Sequence, residues 1–123
     1  MEEIKVGEYV RTEKGSIGKF KSYGIDDVDE KIVYFKNNKG TTCVDENEIV
    51  KHSLSIIDLI EVGDYVNGRE VKHIAMFEGF PNYPKLIFTD ERHLIPGETA
   101  ENKDIKSIVT REQFSNIEYR LED

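Results

Sequence analysis

Five residues near the start of this chain, Val6-Gly7-Glu8-Tyr9-Val10, return as Val62-Gly63-Asp64-Tyr65-Val66, an offset of 56. Asn47-Glu48-Ile49 and Lys103-Asp104-Ile105 keep the same offset. Landmarks this far apart and in one register indicate an internal duplication. The repeat bounds the fold, because a 56-residue unit buries little apolar surface alone. Two such units are expected to pack on each other or on a second chain, as a homo-oligomer.

In the first unit Ile4, Val6 and Tyr9 mark an opening strand, and Lys14-Gly15 a turn. Residues 17–23 alternate apolar with polar, the period of a half-buried strand. Asp26-Asp27-Val28-Asp29-Glu30 is an acid-rich loop. Ile32-Val33-Tyr34-Phe35 is β-branched and aromatic, and Asn37-Asn38-Lys39-Gly40 ends it with residues that tolerate positive φ. Thr41-Thr42-Cys43-Val44 returns, with Cys43 read as a small core hydrophobe. Asp45-Glu46-Asn47-Glu48 fits one helical turn before Ile49-Val50-Lys51.

Ser55-Ile56-Ile57-Asp58 has the form of a capping box and predicts a short helix over residues 56–60. In the second unit the opening strand runs into Asn67-Gly68, a strong hairpin signal, with residues 69–77 as the return strand. Residues 85–89 and 93–95 form a further hairpin around Asp90-Glu91-Arg92, and residues 104–109 close the unit. Thr110-Arg111-Glu112-Gln113 is a second capping box, followed by Phe114, Ile117 and Leu121 at helical spacing. The chain thus divides into a first unit of residues 1–54, a helical connector of residues 55–61 and a second unit of residues 62–123. The predicted core is Val33, Phe35, Val44 and Ile49 in the first unit and Val66, Ile74, Ile87 and Ile105 in the second.

This order of elements, carried by Val6-Gly7-Glu8-Tyr9-Val10, Gly15-Ser16-Ile17-Gly18-Lys19 and Glu48-Ile49-Val50, resembles an SH3-like barrel of the kind found in KOW and Tudor modules. The resemblance covers residues 4–52. It implies an all-β fold with short helical turns, built as two tandem SH3-like small barrels related by internal duplication. It implies no single function, since such barrels serve many roles.

The net charge of −8 is shared equally, −4 in residues 1–61 and −4 in residues 62–123. Such a surface repels a nucleic-acid backbone and argues against general DNA or RNA binding, while suiting a basic partner. The single cysteine, Cys43, excludes an intrachain disulfide and fits a reducing compartment. No basic-then-apolar leader opens the chain and no apolar run approaches the roughly 20 residues that span a bilayer. The expectation is a cytoplasmic protein without a membrane partner.

The residues that carry catalysis elsewhere do not assemble here. Gly18-Lys19 lacks the upstream Gly and the following Ser or Thr of a phosphate loop, with Glu13 and Phe20 in those places. His52, His73 and His93 share no metal-ligand spacing, and no pair of carboxylates is marked as acid and base. No enzyme, metal or cofactor is expected. The candidate binding segment is the loop of Phe77, Phe80 and Tyr83, interrupted by Gly79, Pro81 and Pro84 so that the rings cannot all enter one strand; the alternative is that they cover the open end of the second unit or the interface between units. Arg69, Lys85 and Arg92, from neighbouring strands and turns, would add positive charge beside the rings.

Residues 6–12 with Gly18-Lys19, the junction Ile49-Val50-Lys51-His52-Ser53 with its sequel at Val62, and the ending Ile108-Val109-Thr110-Arg111-Glu112-Gln113-Phe114 resemble small proteins of Gram-positive phages and prophages. Such proteins include inhibitors of host defence. The resemblance implies a class of role and names no target; taken with the lack of catalytic motifs and of a leader, the expectation is a non-enzymatic, phage-encoded inhibitor acting in the bacterial cytoplasm by contact with a host protein. The alternative is a sponge for a small signalling nucleotide, with Arg69, Lys85 and Arg92 on phosphates and Phe80 or Tyr83 stacked on a base.

Overall fold

A computed structural model describes residues 2–76, 84–94 and 105–117. The chain divides into two compact units, Met1–Leu59 and Ile60–Asp123. Each carries one five-stranded antiparallel sheet, so the chain is mostly β.

The first unit contains β1 (Tyr9–Thr12), β2 (Ile17–Ile25), β3 (Lys31–Asn37), β4 (Gly40–Asp45) and β5 (Ile49–Ser53), in the order β4-β3-β2-β1-β5. A register shift between Phe20 and Ser22 absorbs Lys21 as a bulge, so that Phe20 pairs with Phe35 and Tyr23 with Val33. Without it Phe20 and Tyr23 would point to opposite faces. With it both join Ile4, Val10, Val33, Phe35 and Ile49 in one core, against which Val44 also packs. Gly18 is required by this packing, because a Cβ there would lie 2.4 Å from Cδ2 of Phe35. A single 3-10 turn, Glu46–Glu48, carries the chain into β5, with the Asp45 amide donating to Oε2 of Glu48 at 3.0 Å.

A second 3-10 turn, Ile56–Leu59, ends the unit. Its start differs from the capping box predicted at Ser55. Ser53 donates its hydroxyl to Asp58 Oδ2 at 2.6 Å and accepts the Ser55 amide at 3.1 Å. The last carbonyl of the turn is held by Arg11, whose buried guanidinium donates from Nη1 to Leu59 O at 2.8 Å. A charged donor thus satisfies an otherwise open helix-end carbonyl away from water.

The second unit contains β6 (Tyr65–Val66), β7 (Arg69–Met76), β8 (Pro84–Phe88), β9 (His93–Leu94), β10 (Ile108–Val109) and one helix, α1 (Arg111–Ile117). Its order, β9-β8-β7-β6-β10, runs through the same succession of neighbours as the first sheet. The outer pairing keeps the sequence offset: Tyr9 pairs with Ser53 and Tyr65 with Val109, Val10 with His52 and Val66 with Ile108. The bulge recurs between Val71 and His73. Val71, Leu86 and Phe88 are buried at the places that Phe20, Val33 and Phe35 take in the first sheet.

The repeated motif has one local structure in both units. Gly7 (φ +100°) and Gly63 (φ +96°) each occupy the third position of a β-turn, a conformation that excludes most side chains. The turns close through Glu8 N to Lys5 O and Asp64 N to Glu61 O, both at 3.0 Å. The acid after the glycine accepts the first amide of its own turn, Glu8 from Lys5 at 2.6 Å and Asp64 from Glu61 at 2.7 Å. The strand then begins at the tyrosine, later than Ile4 or Val62, because the turn occupies the preceding four residues.

Several expectations are corrected. Val44, Ile74, Ile87 and Ile105 are half-buried, and the buried face of β8 is Leu86 and Phe88. Cys43 is exposed, since β4 ends the sheet and Cys43 lies opposite Tyr34, on the face away from Val33 and Phe35. Among the described residues no strand pairing closes either sheet into a barrel: β4 and β5 remain edges of one, β9 and β10 of the other.

Candidate functional site

Of the residues singled out in the sequence, Phe77, Phe80 and Tyr83 lie outside the described residues. Arg69 opens β7 opposite Val66, and Arg92 follows the turn after β8. Both guanidinium groups approach one carboxylate, Asp90 Oδ2, at 3.5 Å from Arg69 Nε and 3.9 Å from Arg92 Nε. The other oxygen, Oδ1, accepts the Arg92 amide at 3.0 Å, fixing the turn. Lys85 pairs with Ala75 toward the other end of β8, about 10 Å along the strand from Phe88 at the usual rise per residue. The structure thus brings two of the three cations together, around an acid that offsets part of their charge.

A second surface is built by the hairpin of β2 and β3. Its loop is organised by Asp26, whose Oδ1 accepts the amides of Val28 (3.0 Å) and Glu30 (2.8 Å). Asp26 N donates to Glu30 O at 2.9 Å and Asp29 N to Asp26 O at 3.1 Å, with Asp29 at φ +62°. Asp tolerates this left-handed conformation and its side chain favours such turns. The loop is therefore preset, and it holds two apolar side chains in water: Ile25 is 70% exposed and Val28 74%. Asp27, Asp29 and Glu30, in the same loop, are exposed as well.

The base of this hairpin is braced. The Tyr23 hydroxyl accepts the Ile4 amide at 2.7 Å, its ring meets Phe20 edge-on at 5.1 Å, and Lys31 Nζ sits 4.0 Å from the ring centroid. Lys31 also approaches Glu46 at 3.7 Å. Sequence reading found the acids of this loop but not its exposed apolar pair. Alternation assigned to residues 17–23 gives no hint that the bulge at Lys21 rephases the strand, nor that Ile25 lies beyond the end of the core.

Glu8 joins the repeated turn to β5 through His52, both half-buried, with Nδ1 2.9 Å from Oε1. Burial pushes the Glu8 carboxyl up, but the bonds from His52 and the Lys5 amide, with the nearby charges of both residues, outweigh it and hold the group below its ordinary value. In the second unit the corresponding acid, Asp64, is buried and accepts the Arg111 amide at 2.9 Å, which ties the turn to the start of α1. α1 opens on the predicted capping box, Thr110 and Gln113 exchanging bonds of 3.2 and 3.3 Å. Phe114 stacks on Tyr65 at 4.6 Å.

Among the described residues no group of three or more His, Cys, Asp or Glu side chains is arranged to hold a metal ion, and no helix is long and apolar enough to cross a membrane. In comparisons with known proteins, no family model, no curated protein and no solved structure matches this chain.

Proposed function

We propose that this chain is a non-enzymatic binding protein of the phage or prophage kind, made of two SH3-like units related by internal duplication, that inhibits a host defence protein by direct contact. The observation that carries the reading is the hairpin tip of β2 and β3, where Ile25 and Val28 stand exposed on a preset loop among acids. Exposed apolar side chains on an ordered loop contribute to a complex, because little entropy is lost when they are covered. The carboxylates of the same loop and the net charge of −8 select a partner with a basic rim around an apolar pocket. The equal topology of the two sheets and the common offset of their outer pairs support the duplication. The nucleotide-binding alternative draws less support, since Asp90 shares the charge of Arg69 and Arg92.

The test is a photo-crosslinking residue at Val28 in the full chain, expressed in a Gram-positive host. The expected result is one dominant host protein with a basic surface, crosslinked at the tip and lost when Ile25→Asp is added. Crosslinking that is absent, or that Ile25→Asp leaves intact, contradicts the reading. A thermal-shift panel of nucleotides runs beside it. A ligand at a hundred times its Kd would add about 2.7 kcal/mol and favour the alternative.

A further inference from the structure

Edge strands are ordinarily protected by charge, proline or a bulge. β4 carries none of these between Gly40 and Val44, and its register with β3 runs unbroken from Asn37 opposite Gly40 to Ile32 opposite Asp45. Thr41, Thr42 and Cys43 are exposed. The two-residue turn makes Asn37 and Gly40 a hydrogen-bonded pair, so the backbone groups of Gly40, Thr42 and Val44 face β3 and those of Thr41, Cys43 and Asp45 face outward. The Asp45 amide agrees with this parity, since it donates to the Glu48 side chain rather than to β3.

We propose that β4 is a self-pairing edge, on which two copies of the chain join antiparallel about a two-fold axis at Thr42. Only registers that set outward-facing residues opposite one another can form bonds. The one centred on Thr42 pairs Thr41 with Cys43 of the second copy, twice, giving four backbone hydrogen bonds. It also sets Lys39 opposite Asp45 at both ends. The segment is thus complementary to its own reverse: basic at the start, uncharged in the middle, acidic at the end. This pattern selects a second copy as occupant, and the two-fold closes the assembly at a dimer instead of a fibre. The contact is short and the copies repel through their net charge, so the dimer forms at high protein concentration and strengthens with salt that screens the like charge.

Sedimentation equilibrium of the full chain tests this, with circular dichroism confirming that each variant is folded. The parent should show a concentration-dependent dimer. Lys39→Glu, which sets acid against acid twice, should weaken it by about 3- to 10-fold. Thr42→Cys in a Cys43→Ser background should form a disulfide dimer with oxidised glutathione as the electron acceptor. That reaction should outpace oxidation of Cys43 in the parent, where the two thiols lie diagonally across the pair. A chain that stays monomeric at its solubility limit overturns the proposal. So does a dimer indifferent to Lys39→Glu that Thr42→Cys fails to trap.

Discussion

Leu86 and Ile87 are adjacent, chemically alike and differently placed: Leu86 is fully buried and Ile87 half-buried on the opposite face. Leu86→Ala is therefore expected to cost about 2–5 kcal/mol, and Ile87→Ala less than half of that, by chemical denaturation. Equal costs would mean that the face of β8 is misassigned. Glu8 gives a pH-dependent counterpart. Its folded carboxyl titrates below its ordinary value of 4.5, so its contribution is present above pH 4.5 and is lost as pH falls through the lower folded value. The stability advantage of the parent over Glu8→Gln should accordingly persist at neutral pH and shrink on acidification below 4.5. An advantage that is unchanged in acid would remove the carboxylate from the account.

At the scale of elements, much was legible because turn chemistry is local. Asn67-Gly68 is a two-residue hairpin, with Asn67 at φ +53° and Gly68 at +81°. The helical turns over residues 46–48 and 111–117 lie where capping residues and acids placed them, and the turn over residues 56–59 lies near its expected place with a different cap. What was not legible depends on phase. A bulge adds a residue without any compositional mark, and the two at Lys21 and Lys72 decide which side chains of β2 and β7 face inward. The same holds for the exposed pair Ile25 and Val28, whose setting follows from where the core stops. Asn67 adds a role that its turn signal did not announce: its Oδ1 accepts the amides of Lys106 (2.7 Å) and Ser107 (3.1 Å), fixing the approach to β10. Asn67→Ala should cost about 1–3 kcal/mol, from a positive φ without an Asn and two amides left to water. Thermal melts would show it, and a cost near zero would mean that β10 is held by other contacts.

At the scale of the molecule, two units with the same strand succession carry different attachments to the repeated acid. In the first, Glu8 takes a histidine from β5; in the second, Asp64 takes the amide that opens α1. Ile25 and Val28 stand exposed on the first unit, as Val6 and Leu54 do, but only the former pair sits on a loop preset by Asp26, and it is there that contact with a host protein is proposed. The underlying proposal is that one β unit occurs twice, its first and last strands keeping the 56-residue offset. Cross-strand nuclear Overhauser effects in the full chain test it most directly. The account predicts contacts of Tyr9 with Ser53 and of Tyr65 with Val109, together with Phe20 to Phe35 and Val71 to Phe88. If Tyr65 instead pairs with a residue off the 56-residue offset, or if neither tyrosine lies in a strand, the duplication is contradicted.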